Sequence, residues 1–335
     1  MYNWQNLRTH CANQSVFNMK LLKWIAEENL WNIWVPKAYN GLELPLTEGL
    51  HKLKELAQID GSLGWTITLC SGANYFIGNL KPETAERVFL TETGNTILGG
   101  SGGMFGTAEK TDDHYILNGT WKYGTGAPYL THFTLNAKIT KKGKELLNND
   151  GSAQFRSFVI PKQAVTVIDD WQTMGLQATA TCSFSVEKYR THQDNSFIYN
   201  EFQLPHAIFK INFSVFADLT LWINYIGMGL HYLEEAVNIL ESEQLKIFKE
   251  NLDKAETQLF TIAAEIEKQT ASEKTIHLKR ISEIHQTASG SVKQLSGQII
   301  SLHPLLGIRA ARKEHPLNQV FRDYFTATQH HIFTR

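Results

Sequence analysis

Ala108-Glu109-Lys110-Thr111-Asp112-Asp113-His114-Tyr115-Ile116-Leu117-Asn118-Gly119, followed at once by Thr120-Trp121-Lys122-Tyr123-Gly124-Thr125-Gly126-Ala127, reads as a β-hairpin. Asp112-Asp113 supplies the turn, apolar and polar residues then alternate, and the returning strand ends in small and hydroxylated residues. Gly124 and Gly126 bracket Thr125, where a ligand could touch the backbone.

The same grammar extends outward from the hairpin. Short alternating runs at 131–139, 155–160, 165–168 and 181–186 are separated by Gly, Asn, Asp and Pro, so residues 96 to about 199 read as a β-domain. Residues 141–151, with Asn148-Asn149-Asp150, read as a surface loop between two strands. Upstream, 14–35 and 46–60 carry helical periodicity, broken between them by Val35-Pro36-Lys37-Ala38-Tyr39-Asn40-Gly41. Further helices are expected over 63–78 and 82–90, with Pro82 in a first turn. Beyond Pro205, long helical patterns run to Phe333, interrupted near Ser242, at 270–273 and at 303–316, which gives four helices of an antiparallel bundle. The expected fold is α+β and multi-domain: an N-terminal helical domain (1–95), a central antiparallel β-domain (96–202) and a C-terminal four-helix bundle (203–335).

With 335 residues, 42% of them apolar, the chain can fill the cores of two or three such units. Lys and Arg (32) balance Asp and Glu (33), so no net field recruits nucleic acid or an anionic membrane, and the expected partners are small molecules or further copies of the chain. Cys11, Cys70 and Cys182 are far apart and form no C-x-x-C pair, and the histidines show no ligand spacing, so reduced thiols, a cytoplasmic location and no metal are expected. Residues 1–8 lack the apolar run of a signal peptide. Residues 213–230 approach membrane-spanning length but include Asp218 and Asn224, and read as a central bundle helix.

Three motifs resemble the acyl-CoA dehydrogenase superfamily. The hairpin is similar to its "A-E-K … Y-x-x-N-G" segment. Val35-Pro36-Lys37-Ala38-Tyr39-Asn40-Gly41, with Glu55-Leu56-Ala57-Gln58-Ile59-Asp60-Gly61-Ser62-Leu63-Gly64-Trp65, resembles "V-P-x-x-Y-G-G … E-L-A-x-x-D-x-S-x-x-W". Its plain structural reading has the glycine turning, Ser62 capping a helix and Trp65 packing. Trp171-Gln172-Thr173-Met174-Gly175-Leu176-Gln177-Ala178-Thr179 resembles "W-x-x-x-G-L-R-A-T-G", with Gln177 for the usual Arg and Ala180 for the usual Gly. The last helix, His315-Pro316-Leu317 through Arg322-Asp323 to Ala327 and His330, resembles "P-L-x-R-x-x-R-D-x-x-x-A-x-x-H", the signature of the flavin-dependent monooxygenases that share this fold.

The resemblance implies a flavin, FAD or FMN, held between the β-domain and the C-terminal bundle. It implies a small, aromatic substrate, a separate flavin reductase and a homodimer or homotetramer, for which the apolar 213–230 helix would suit burial between subunits. Tyr123 takes the position flanking the isoalloxazine and Thr125 the hydroxyl near flavin N5, where a donor would tune hydride and proton steps. Gly124 and Gly126 frame Thr125. Gly99, Gly100 and Ser101 open a glycine cluster that reads as a loop, either a plain connection or one whose amides meet the flavin. A dinucleotide loop is excluded, since G-x-G-x-x-G started at Gly100 meets Phe105. His330 is the candidate proton handler: on a helix it shares a face with Asp323 and Thr326, while His331 points away. Plain readings of a turn threonine and a terminal histidine stand beside these roles. Two rivals remain: a dehydrogenase of acyl thioesters, for which no carboxylate follows Asp323, and a non-catalytic member without flavin. The family's "T-E-P-x-A-G-S-D" loop is missing, and Ala73 and Asn74 stand where many of these monooxygenases have a histidine.

Overall fold

Asp60 ends one helix and starts the next: its N–H donates to Leu56 O, and its carboxylate accepts the Leu63 N–H at 2.9 Å. In the computed structural model, which describes residues 4–90 and 95–330, the helices before the sheet are α1 (Trp4–Cys11), α2 (Met19–Glu27), α3 (Leu46–Ile59), α4 (Gly61–Asn74) and α5 (Pro82–Phe89). The cap expected of Ser62 belongs to Asp60, whose carboxyl accepts the Leu63 N–H, and Ser62 is buried in the first turn. Helix α3 buries Leu46, Leu50, Leu53, Leu56 and Ala57 at helical spacing, whereas α4 is buried nearly all round, as a central helix must be. The helix expected over 14–35 breaks into α2 and a 3-10 turn, Leu30–Asn32, because Asn29 sits at φ 53° and a left-handed residue cannot continue a helix.

The sheet contains β1 (Leu98–Lys110), β2 (His114–Gly124), β3 (His132–Lys141), β4 (Lys144–Glu145), β5 (Phe155–Pro161), β6 (Thr166–Ile168), β7 (Cys182–His192) and β8 (Ser196–Phe197), in the order β6-β7-β2-β1-β3-β5-β8 with β4 paired to β3. The hairpin read from the sequence is β1 and β2, paired antiparallel from Gly106↔Gly119 to Lys110↔Tyr115. Among the described strands all pairs are antiparallel except one. The chain leaves β2 and returns on the far side of β1, so β3 runs parallel to β1.

Helices α6 (Phe213–Ala236), α7 (Ser242–Ala271), α8 (Leu278–Leu302), the short α9 (Ile308–Ala311) and α10 (Pro316–Ala327) follow. Their breaks fall at the expected interruptions, and α10 opens with Pro316 in its first turn. By length and composition α6 could cross a membrane, but most of it lies inside the protein, against α3, α4, α7, α8 and α10. Most of its apolar surface is therefore covered within one chain.

Candidate functional site

The glycine cluster is strand, not loop. Leu98 to Ser101 pair in parallel with His132 to Leu135, a bulge intervenes, and pairing resumes at Gly106. The glycines are there for close approach: a Cβ on Gly100 would lie 1.7 Å from Thr134 O, and one on Gly106 would lie 2.2 Å from the Trp121 ring. Alternation cannot reveal such a strand, since glycine has no side chain to alternate.

This half of β1 forms one wall of a cavity of about 290 Å³. Gly99, Gly100, Ser101 and Gly102 line it together with Asn136 of β3, Ser157 of β5 and Tyr199. Thr125, just past β2, joins them. The facing wall comes from Thr68, Gly72 and Ala73 of α4 and from Phe213, Phe216 and Thr220 of α6, and His330 completes the lining. The cavity thus gathers Gly99, Gly100, Ser101, Thr125 and His330 from the sequence-predicted set. It does not gather Tyr123, Gly124 or Gly126. Tyr123 is largely exposed and sets its ring 5.6 Å from that of Trp171. Gly124 packs between Phe184 and Gly100. Gly126, at φ +75°, turns the chain so that its N–H donates to Thr179 O at 2.8 Å.

Two hydrogen-bond chains fix which way the lining hydroxyls point. Thr179 Oγ1 donates to Leu176 O at 2.7 Å, and that carbonyl can only accept. Thr181 Oγ1, 2.7 Å from Thr179 Oγ1, must then donate to it, and Thr125 Oγ1 must donate to Thr181 Oγ1 at 3.0 Å. The Thr125 hydroxyl therefore keeps only lone pairs to offer a ligand, the reverse of the donor expected from the sequence. In the second chain, Asn136 Nδ2 donates to Gly102 O at 2.7 Å, which fixes the amide orientation. Asn136 Oδ1 accepts from Ser157 Oγ at 2.6 Å and from the Tyr199 hydroxyl at 3.0 Å. Burial pushes the Tyr199 phenol up from its ordinary value, so it keeps this proton.

His330 reaches the cavity by a different route from the one expected. Helix α10 ends at Ala327, whose carbonyl accepts from the Tyr225 hydroxyl at 2.7 Å, and His330 follows in a turn with its N–H on the same carbonyl at 2.9 Å. The shared helical face with Asp323 and Thr326 therefore does not apply, and His331 lies outside the described residues. The Trp65 ring meets the His330 imidazole edge-on at 5.5 Å. Asp323 lies apart from the cavity. It accepts the Leu176 N–H at 2.6 Å and docks the 171–180 segment on α10, where Gly175 lies directly against the Arg322 backbone. The Cβ of Asp323 lies 2.8 Å from where Gly61 would carry a side chain, beside Asp60, which Gln319 Nε2 holds at 2.7 Å. Both carboxyls are raised from their ordinary values, first by burial and, at Asp60, then by the neighbouring Asp323 charge.

Asn136, Ser157, Tyr199 and Gly72 were not anticipated, since single polar residues in strands, a tyrosine in a turn and a helical glycine carry no sequence signal. Thr179 and Thr181 belonged to quoted stretches without a role. Asn74, standing near an expected histidine, is structural: its Nδ2 donates to Trp31 O, Asn32 Oδ1 and Thr96 O, and its Oδ1 accepts the Leu98 N–H, anchoring β1.

Residues 244–335 match the family described as acyl-CoA dehydrogenase, C-terminal domain. The chain is 26% identical over 227 residues to indole-3-acetate monooxygenase of Acinetobacter baumannii, covering 67% of this chain and 56% of that protein. It is 22% identical over 166 residues to the flavin-dependent monooxygenase oxygenase subunit HsaA of Rhodococcus jostii, covering 50% of this chain and 41% of the relative. The matches span about half the length of these curated relatives. The crystal structure of the HsaA monooxygenase from M. tuberculosis superposes with a TM-score of 0.91 at 16% identity, covering 99% of this chain and 91% of that one. The fold is the acyl-CoA dehydrogenase-like fold of those monooxygenases, as the sequence motifs implied.

Proposed function

We propose that the chain is the oxygenase component of a flavin-dependent, two-component monooxygenase acting on a small aromatic substrate. One observation carries the reading: Gly99 to Ser101, Thr125 and His330, far apart in sequence, converge on a single cavity. The cavity suits a planar ring. Its volume of about 290 Å³ is near the lower end for small-molecule sites. Two of its walls are open glycines: a Cβ on Gly102 would meet nothing within 4 Å, and one on Gly72 only Phe216 at 3.9 Å.

Reduced flavin, FAD or FMN, supplies the electrons for oxygen activation when bound. The chain's own residues do the rest. The backbone of Gly99 to Ser101 and the Thr125 lone pairs would hold the flavin ring, and Phe213 and Phe216 would exclude water. His330 would hold or pass on a proton at its imidazole beside the bound substrate. The relatives' designations as monooxygenases and as an oxygenase subunit support the chemistry and a separate reductase. Assembly as a dimer or tetramer and residence in the cytoplasm belong to the same proposal. The acyl-thioester reading is less well supported, because no Asp or Glu is among the described residues lining the cavity to remove an α-proton.

The test is anaerobic titration of the purified protein with reduced FAD and reduced FMN, followed by mixing with oxygen and an aromatic substrate. Saturable binding followed by incorporation of one oxygen atom into product is expected. A protein that binds neither flavin in either redox state, or whose bound flavin is bleached by an acyl-CoA, would overturn the proposal.

A further inference from the structure

The lining is unusual in charge and in hydrogen-bond polarity. Among the described residues that form it there is no Lys, Arg, Asp or Glu. Seven hydroxyl side chains line it, and five have already given their proton to the protein. Ser101 donates to Lys122 O and Thr220 to Phe216 O. Ser157 and Tyr199 both donate to Asn136 Oδ1, and Thr125 donates to Thr181. What these five present to a guest is lone pairs; of the other two, Thr68 accepts from Asn224 Nδ2 at 2.6 Å and Thr134 lies on the β3 wall.

The aromatic rings beside them are also built as a unit. Phe76 stacks on Tyr199 at 5.2 Å, Tyr199 on Phe213 at 4.9 Å, and Phe76 lies 4.8 Å from Phe197. These four rings line the cavity next to the Asn136, Ser157 and Tyr199 cluster. A flat ring packs there at low cost. A ring substituent meeting the cluster must bring its own proton, since acceptor against acceptor leaves both groups desolvated and unpaired. A carboxylate fares worse, because it brings only acceptors and a charge for which the lining offers no permanent cation.

We propose that the part of the cavity beside Asn136, Ser157 and Tyr199 selects an uncharged aromatic bearing an O–H or N–H donor, and rejects the same ring once the donor is methylated or a carboxylate is attached. The inference rests on the monooxygenase reading for its biological sense, but its physical content is binding alone. It also departs from the relative named for indole-3-acetate, an anion.

Indole, 1-methylindole and indole-3-acetate differ in those two features and serve as probes. Their dissociation constants are measured by calorimetry, with and without saturating reduced flavin under argon. Indole is expected to bind about ten-fold more tightly than 1-methylindole, the worth of one hydrogen bond. It should bind about a hundred-fold more tightly than indole-3-acetate, for an unpaired buried charge. Tyr199→Phe, checked for an unchanged melting temperature, is expected to narrow the gap between indole and 1-methylindole. Equal affinities for those two, or the absence of indole binding, would overturn the proposal. So would tight indole-3-acetate binding that His330→Ala abolishes, which would assign the imidazole to a carboxylate. Failure of the oxygenase reading is separately visible: flavin would not bind, while the order of the three probes in the flavin-free protein would still be read.

Discussion

Thr125 and Thr181 stand hydroxyl to hydroxyl at 3.0 Å, and the proton between them belongs to Thr125. The order is imposed from a distance, by the Leu176 carbonyl at the end of the Thr181–Thr179 relay. With the flavin placed as proposed, an acceptor here would pair with a ring N–H that a flavin carries only when reduced, and the relay would favour reduced over oxidised flavin. Thr181→Val would free the Thr125 proton and reverse that polarity. The expected outcome is a loss of about ten-fold in the ratio of reduced to oxidised flavin affinity, the scale of one hydrogen bond. Fluorescence titration in both redox states measures it. An unchanged ratio in Thr181→Val and in Thr125→Val would remove the hydroxyl from the flavin's surroundings.

His330 is held outside the helix that precedes it, against Trp65, where a polar side chain of similar size interrupts no helix. His330→Gln should therefore leave flavin binding and melting temperature close to those of the parent. The oxygenation step should slow by about 10²–10⁴-fold, the usual worth of a general acid or base. Single-turnover mixing with oxygen separates the two effects. Equal losses in binding and in turnover would make the residue structural.

Much of this architecture was legible because periodicity reports burial. The hairpin around Asp112-Asp113 and the long bundle helices each bury one face, and their residues recur accordingly. Three kinds of feature were not legible. The strand at Gly99 to Ser101 has no side-chain alternation to read. The end of α10 at Ala327, whose carbonyl accepts the Tyr225 hydroxyl, is marked by no Gly or Pro in the sequence. The polarity of Thr125 depends on a carbonyl reached through two other side chains. At the site itself, the sequence found residues that resemble a family pattern and missed Asn136, Ser157 and Tyr199, whose importance lies in facing one another.

Asp60 and Asp323 make stability depend on pH. Both carboxyls are raised above their unfolded values, so the folded chain holds protons that the unfolded chain releases. Their contribution is complete below the ordinary carboxylate range and is lost as pH rises through the raised folded values. The Arg322 guanidinium beside Asp323 and the Gln319 amide temper the effect, and the buried Cys11 thiol, itself raised, adds no charge. The melting temperature is expected to fall as the buffer moves from about pH 5 to about pH 8. Asp323→Asn keeps an oxygen for the Leu176 N–H and removes one of the two charges, so it should flatten that slope. A slope identical in parent and variant would show that the pair does not titrate in this range.

Gly72 separates the demands of folding from those of the cavity. It sits within α4, where an alanine is favoured over glycine by about 0.5–1 kcal/mol. A Cβ there would meet only Phe216, at 3.9 Å, so no clash opposes the gain. That methyl would occupy cavity space, however, since Gly72 and Phe216 both line it. Gly72→Ala is thus expected to raise the melting temperature while weakening indole binding by about ten-fold, as overpacking of about 1–3 kcal/mol implies. Gly100→Ala is the contrasting case: its Cβ would fall 1.7 Å from Thr134 O, and β1 could not keep its register against β3. That variant should lose stability and ligand together. If Gly72→Ala instead lowers stability, or leaves indole affinity untouched, the space beside α4 is not where the ligand lies.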